Sequence, residues 1–176
     1  MNLTNLDDIT RIHMREEIQT DIATATLYMS DRLSPQGAAD YPDLLMDAVD
    51  HGTSASLAAE LRRHGRLNSH EMAVSRRGNP FWRRVPVTAA DTLAEGEFNR
   101  FYIRGLCVRA MNQGIDRVQV YRAKAVFDPR PESTARIGLL IAPPNLLADL
   151  RVHTHVDTAL GVPAGPNSGL SIQLVA

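Results

Sequence analysis

Three residues near the C-terminus have the types a metal site needs. His153, His155 and Asp157 alternate. On a strand all three would point to one face, and two imidazoles with a carboxylate can ligate a divalent ion. A two-apart histidine pair also arises by chance, and His13, His51, His64 and His70 are scattered. Ordinary surface histidines are the plainer reading, so neither a metal nor a cofactor is expected. Cys107 stands between Leu106 and Val108, where a buried structural thiol fits better than a nucleophile, which needs an exposed electropositive setting. Glu95 and Glu97 are two apart on a helical stretch, where neighbours at that spacing diverge, so they form no carboxylate dyad. The loop 161–169 has no Gly-Lys-Ser/Thr and no Gly-x-Gly-x-x-Gly, which leaves a phosphate loop without support. No Ser-His-Asp or zinc pattern is present, and no catalytic residue is expected.

The second kind of candidate chemistry is basic. Arg76, Arg77, Arg83 and Arg84 surround Phe81 and Trp82. Aromatics beside arginines can stack on the bases of a single strand, or anchor a protein interface, where Trp and Arg are favoured. The segment from Leu45 to Arg66 has a helix-turn-helix outline, with Gly52 at the turn and Arg62, Arg63 and Arg66 trailing the second helix towards phosphates. Asp47, His51 and Thr53 fall where that motif wants apolar residues, so plain helix packing explains it better.

Charge is distributed unevenly. The 176 residues carry a net charge of −1. Residues 1–60 hold 11 acids against 3 bases, residues 61–130 hold 14 bases against 6 acids, and residues 131–176 hold 2 bases against 3 acids. Such asymmetry fits a basic face for nucleic acid, attraction between copies of the chain, or a fold whose halves neutralise each other. An acidic partner for the Arg76–Arg84 segment already exists within the chain, which favours protein contact over nucleic acid. All but one of the 19 bases are arginine, the exception being Lys124, and guanidinium suits bidentate pairing.

The elements that must position these residues follow from periodicity. Asp7 or Asp8 caps a helix expected to run to about Arg32, with Met14, Ile18, Ile22, Ala25 and Met29 as its apolar stripe. Ser34-Pro35-Gln36-Gly37 breaks it, and Pro42 opens a second helix through Tyr41, Leu44, Leu45, Ala48 and Val49. Thr53 or Ser54 caps a third, which Gly65 ends. Residues 66–87 read as an irregular basic connector with a turn at Gly78-Asn79-Pro80. Thr88-Ala-Ala-Asp91 has capping-box spacing and opens the strongest helix, about 89–113, closed by Gly114. Arg117 to Val126 alternates as a half-buried strand. Ile137 to Ile141 reads as a short buried strand, Leu146 to Leu150 as a helical turn, Arg151 to Asp157 as an alternating segment, and Leu170 to Val175 as a last strand.

These readings predict an α+β fold: an acidic helical part (1–65), a basic connector (66–87) and an α+β part (88–176). In the last part a long helix packs on a small, mostly antiparallel sheet of three or four strands. The expected function is a self-assembling structural protein, in the setting of a virion or phage-like particle, with Arg62, Arg63, Arg76, Arg77, Phe81, Trp82, Arg83 and Arg84 as interface residues and further copies as partners. A nucleic-acid-binding regulator using 45–66 or 76–84, and a small metal-dependent enzyme using His153, His155 and Asp157, are the alternatives. The longest apolar run, Ile137 to Pro144, is short of the roughly 20 residues a membrane span needs, so no membrane partner is expected. The first residues lack a signal-peptide pattern, and a single cysteine excludes an internal disulfide. The expected location is the cytoplasm or an assembled particle.

Overall fold

The computed structural model describes residues 1–154, 160–163 and 168–175. Six helices and two small antiparallel sheets make a mixed α+β fold among these residues. Helix α1 (Asp8–Ala23) is capped by Asp7, whose carboxylate accepts from the Thr10 N–H at 3.1 Å. It stops nine residues short of Arg32. The reason is local: Thr24 bonds back to the Thr20 carbonyl, the Thr26 and Leu27 N–H groups both turn onto the Asp21 carbonyl, and Ala25 takes a φ of 55°. Threonine hydroxyls compete with the helix for backbone groups in this way. Met14 and Ile18 are fully buried as the stripe requires, but Ile22 and Met29 are exposed. Residues 28–32 instead form a non-helical strap that turns at Asp31 and Arg32, where the Leu33 N–H bonds to the Ser30 carbonyl at 3.0 Å.

Helix α2 (Pro35–His51) starts earlier than its sequence suggested. Ser34 accepts from the Gly37 N–H at 3.0 Å and Pro35 fills the first turn, so Pro42 sits inside the helix. Helix α3 (Ser54–Leu61) carries a full capping box between Thr53 and Ser56. Strands β1 (His70–Val74) and β2 (Pro80–Arg84) make a two-stranded hairpin where an irregular connector was expected. Helix α4 (Ala89–Asn112) is the long central helix. Thr88 makes no side-chain cap bond, and Asp91 pairs with Arg62 instead. Strand β3 (Val118–Arg122), the short helix α5 (Pro131–Thr134), strand β4 (Leu140–Ile141), helix α6 (Pro143–Val152) and strand β5 (Leu170–Leu174) complete the chain. Of the 137–141 run, Leu140 and Ile141 form the edge strand, Gly138 and Leu139 add backbone bonds to Val120, and Leu140 is exposed rather than buried.

The sheet order is β4-β3-β5, antiparallel throughout. One apolar cluster runs from Met14 through Leu45, Leu57, Phe98, Phe101 and Leu146 to Ile172, so α4 packs against α1, α3, α6 and β5 at once. A helix enclosed on most sides must satisfy its polar groups inside. Asn99 does so with the Leu170 carbonyl (2.8 Å) and the Ser171 hydroxyl (2.7 Å), and the Tyr102 hydroxyl donates to the Ile172 carbonyl (3.1 Å). Gly105 lets α1 approach closely, since a Cβ there would stand 2.7 Å from the Met14 nitrogen. No helix among the described residues is long and apolar enough to cross a membrane.

Candidate functional site

The basic segment becomes a ribbon with two unlike faces. Register sets them: His70, Met72 and Val74 stand opposite Arg84, Trp82 and Pro80, while Glu71 and Ala73 stand opposite Arg83 and Phe81. Strand side chains alternate between faces, so Met72, Val74, Pro80 and Trp82 share one. That face stands in solvent, with Met72 54 %, Val74 69 % and Trp82 67 % exposed. The turn at 75–79 closes on the Ser75 N–H to Asn79 carbonyl bond (2.8 Å), with Gly78 supplying a φ of 83°. Arg76 and Arg77 therefore sit at the tip.

The ribbon is held at its root. Asn68 donates to the Leu33 carbonyl at 2.9 Å and to the Asp31 carbonyl at 3.2 Å, and Val85 closes onto Ser69 at 3.0 Å. Glu71, on the inner face, takes Arg32 at 2.5 Å and Arg83 at 2.7 Å. Arg32 first, and Arg83 with it, hold the Glu71 carboxyl below its ordinary range. An isolated two-stranded hairpin is marginal in water, so this clamp is what fixes the arm's direction. At the root, Met72 and Trp82 face Tyr28 and Asp31 of the strap across an open groove.

The other predicted contact residues are distributed differently. Arg62 pairs with Asp91, Arg63 with Glu60 at 2.8 Å, and Arg66 with Asp40 at 2.7 Å and Glu60 at 3.0 Å. The trailing arginines of the helix-turn-helix outline thus serve the chain's own carboxylates, and Leu57, Ala58 and Leu61 of α3 are buried in the core. Arg76, Arg77 and Arg84 form no ion pair with a described residue.

The charge segregation resolves largely within the molecule. Arg104, 1 % exposed at its side chain, donates to Glu17 at 2.8 Å and to both Asp21 oxygens at 2.6 and 2.8 Å, and Arg151 joins Glu17 from α6 at 3.0 Å. Burial raises the Glu17 carboxyl, but the Arg151 bond and the Arg104 charge outweigh it and leave the group below its usual range. Arg109 binds both Asp7 oxygens at 2.7 Å. Asp43 and Asp47, one turn apart on the outer face of α2, are exposed and form no ion pair with a described residue.

The metal candidates do not assemble as expected. Arg151 and Val152 are the last residues of α6 and His153 is its C-cap, so this stretch begins as helix rather than as an alternating segment. The His153 Nδ1 lies 2.8 Å from an Asp149 carboxylate oxygen. His155 and Asp157 lie outside the described residues. No cluster of His, Cys, Asp or Glu suited to a metal occurs among the described residues. Cys107 is buried in the core, and burial pushes its thiol well above the ordinary range.

Sequence reasoning missed the hairpin and the environment of Glu97. The hairpin had one visible signal: two five-residue runs separated by five residues that include Gly78. Glu97 falls one turn from both Leu93 and Phe101 on α4 and is 5 % exposed. Its α4 position placed it inside, but nothing in its type distinguished it from Glu95, which reaches Lys124 at the surface at 2.6 Å. No protein-family model, curated protein or solved structure matches the chain.

Proposed function

We propose that this chain is a self-assembling structural protein, a subunit that contacts copies of itself through the β1–β2 arm. The observation that supports this reading is the apolar face of Met72, Val74 and Trp82, held out in solvent by a clamped root. Aromatic and arginine side chains dominate the energetics of protein interfaces, and Arg76, Arg77 and Arg84 border this face. The complementary surface on the next copy is the outer side of α2, where Asp43 and Asp47 are exposed and form no ion pair with a described residue. Arm and α2 are different surfaces, so the contact is heterologous and propagates into rings or shells. A particle of the virion or phage type is the setting that suits it.

Light scattering on the full chain tests the reading. The expected result is a mass above the 19.4 kDa monomer at low salt that declines as salt screens the arginine–aspartate contacts. A monomer at every concentration and salt level rejects it. Nucleic-acid binding is the second reading, favoured by Arg76 and Arg77 at the tip near Trp82. Salt-dependent retention of a single-stranded oligonucleotide by a monomeric chain would select it instead.

A further inference from the structure

A cavity of about 220 Å³ lies behind the strap, between Tyr28 and Arg32 on one side and the first half of α4 on the other. Leu93, Leu170 and Pro163 give it an apolar wall. Four charged side chains also line it: two are paired outside the cavity, and Arg100 is shared between the His153 carbonyl and Glu97. Arg32 holds Glu71, Glu95 holds Lys124, and the Arg100 Nη1 donates to the His153 carbonyl at 2.6 Å. The fourth is Glu97. One of its oxygens lies 3.5 Å from the Arg100 Nε, while the other, Oε2, accepts no hydrogen bond from any described residue.

An unsatisfied oxygen on a carboxylate 5 % exposed is costly to the fold. The terminal torsion of a glutamate is soft, so the carboxyl can turn towards the cavity. Burial outweighs Arg100 and Arg104, and with Asp21 nearby it holds Glu97 up at about 7. The site therefore supplies less positive charge than this carboxylate would take. We propose that the cavity binds a compact organic cation, an amine, amidine or guanidinium on a short apolar body, whose N–H groups donate to Glu97 Oε2 while the body lies against Leu93 and Leu170. This site is independent of the arm.

The test uses the full chain and three probes: methylguanidine, phenethylamine and benzamidine. Benzamide serves as the uncharged isostere of benzamidine, and binding is followed by calorimetry. At least one cation is expected to bind at pH 8, and benzamide at least tenfold more weakly than benzamidine. Binding needs the ionised carboxylate, so affinity should fall about tenfold from pH 8 to pH 6 as Glu97 takes up a proton, since the competent fraction scales the apparent constant. The groups facing Glu97 or the cavity are Arg100 and Arg104 of α4, Asp21 of α1, Tyr41 of α2, Tyr28 of the strap and the α-amino group of Met1, with His153 following α6. A His153→Gln variant separates its imidazole from Glu97 and should keep the same pH profile. Glu97→Gln should abolish binding of the cations. Failure of all three cations to bind, equal affinity for benzamide and benzamidine, a flat pH profile, a profile lost in His153→Gln, or binding retained by Glu97→Gln would each overturn the proposal. The comparisons on the native chain stand even if a variant fails to fold.

Discussion

Replacing Trp82 by threonine removes the largest side chain from the exposed face of the arm while keeping a strand-forming residue. An aromatic side chain buries roughly 150–250 Å² when enclosed. With 67 % of Trp82 still exposed, about 100–170 Å² remains for a partner to cover. At roughly 25 cal/mol per Å² this is worth about 2.5–4 kcal/mol. Fixing the side chain costs about 0.5–1.5 kcal/mol, which leaves about 1–3.5 kcal/mol, or a roughly 5- to 300-fold weaker association. Sedimentation velocity over a concentration series reads this directly. The chain has one tryptophan, so its emission reports on position 82 alone and should shift to the blue as assembly proceeds. Val87, 93 % exposed but outside the ribbon, is the control: Val87→Thr should leave association unchanged. Native-strength association of Trp82→Thr, or oligomers that form while the emission stays put, would refute the role given to the arm.

Three further outcomes follow from the interior. Glu97 keeps its proton in the fold up to about 7 against an ordinary 4.5, so stability is full at low pH and declines by roughly 3 kcal/mol as pH rises through that window. Glu97→Gln should flatten this decline and raise the melting temperature at pH 8 by about 6–12 °C; parallel pH profiles for the two proteins would contradict it. Gly105→Ala drives a Cβ to within 2.7 Å of the Met14 nitrogen and 2.8 Å of its Cγ. It should cost roughly 1–3 kcal/mol in urea unfolding, and an unchanged midpoint would mean that α1 and α4 do not pack so closely. Glu17→Gln strips Arg104 and Arg151 of a shared carboxylate and should cost about 3 kcal/mol. Because the folded Glu17 titrates below its ordinary 4.5, that contribution is present above this pH and lost as pH falls through the folded value, so acid unfolding curves of variant and native chain should converge.

The central helix was legible because its signals are local: Gly114 ends it, and the spacing of Ala94, Phe98 and Phe101 marks a buried face. The strands around Val118 and Ile172 were legible through alternation, since Val118, Val120 and Ile172 enter the common core. The arm lacked that signal, because its apolar residues face solvent and are mixed with arginines. The end of α1 was missed because threonine side chains, with no glycine or proline, redirect the backbone there. At the site, Trp82 and its arginines stood out by type. Glu97 did not, because its character comes from Asp21, Arg100 and Arg104 gathered around it by tertiary packing. The pairing of Glu17 with Arg151 was equally invisible, since no periodicity links residues 134 apart.

That long pairing bears on how the chain is made. Synthesis proceeds from the N-terminus at about 5–20 residues per second, so Glu17 is added roughly 7–27 s before Arg151. Until α4 has been made, Met14 and Ile18 lack the helix they pack against, and Glu17 and Asp21 lack Arg104. The surplus of eight negative charges in residues 1–60, largely neutralised once folding is complete, keeps the nascent segments repelling one another. The order of the charges along the chain, acid first and base later, is therefore also an order in time: the soluble half waits, and the half that closes the fold arrives last.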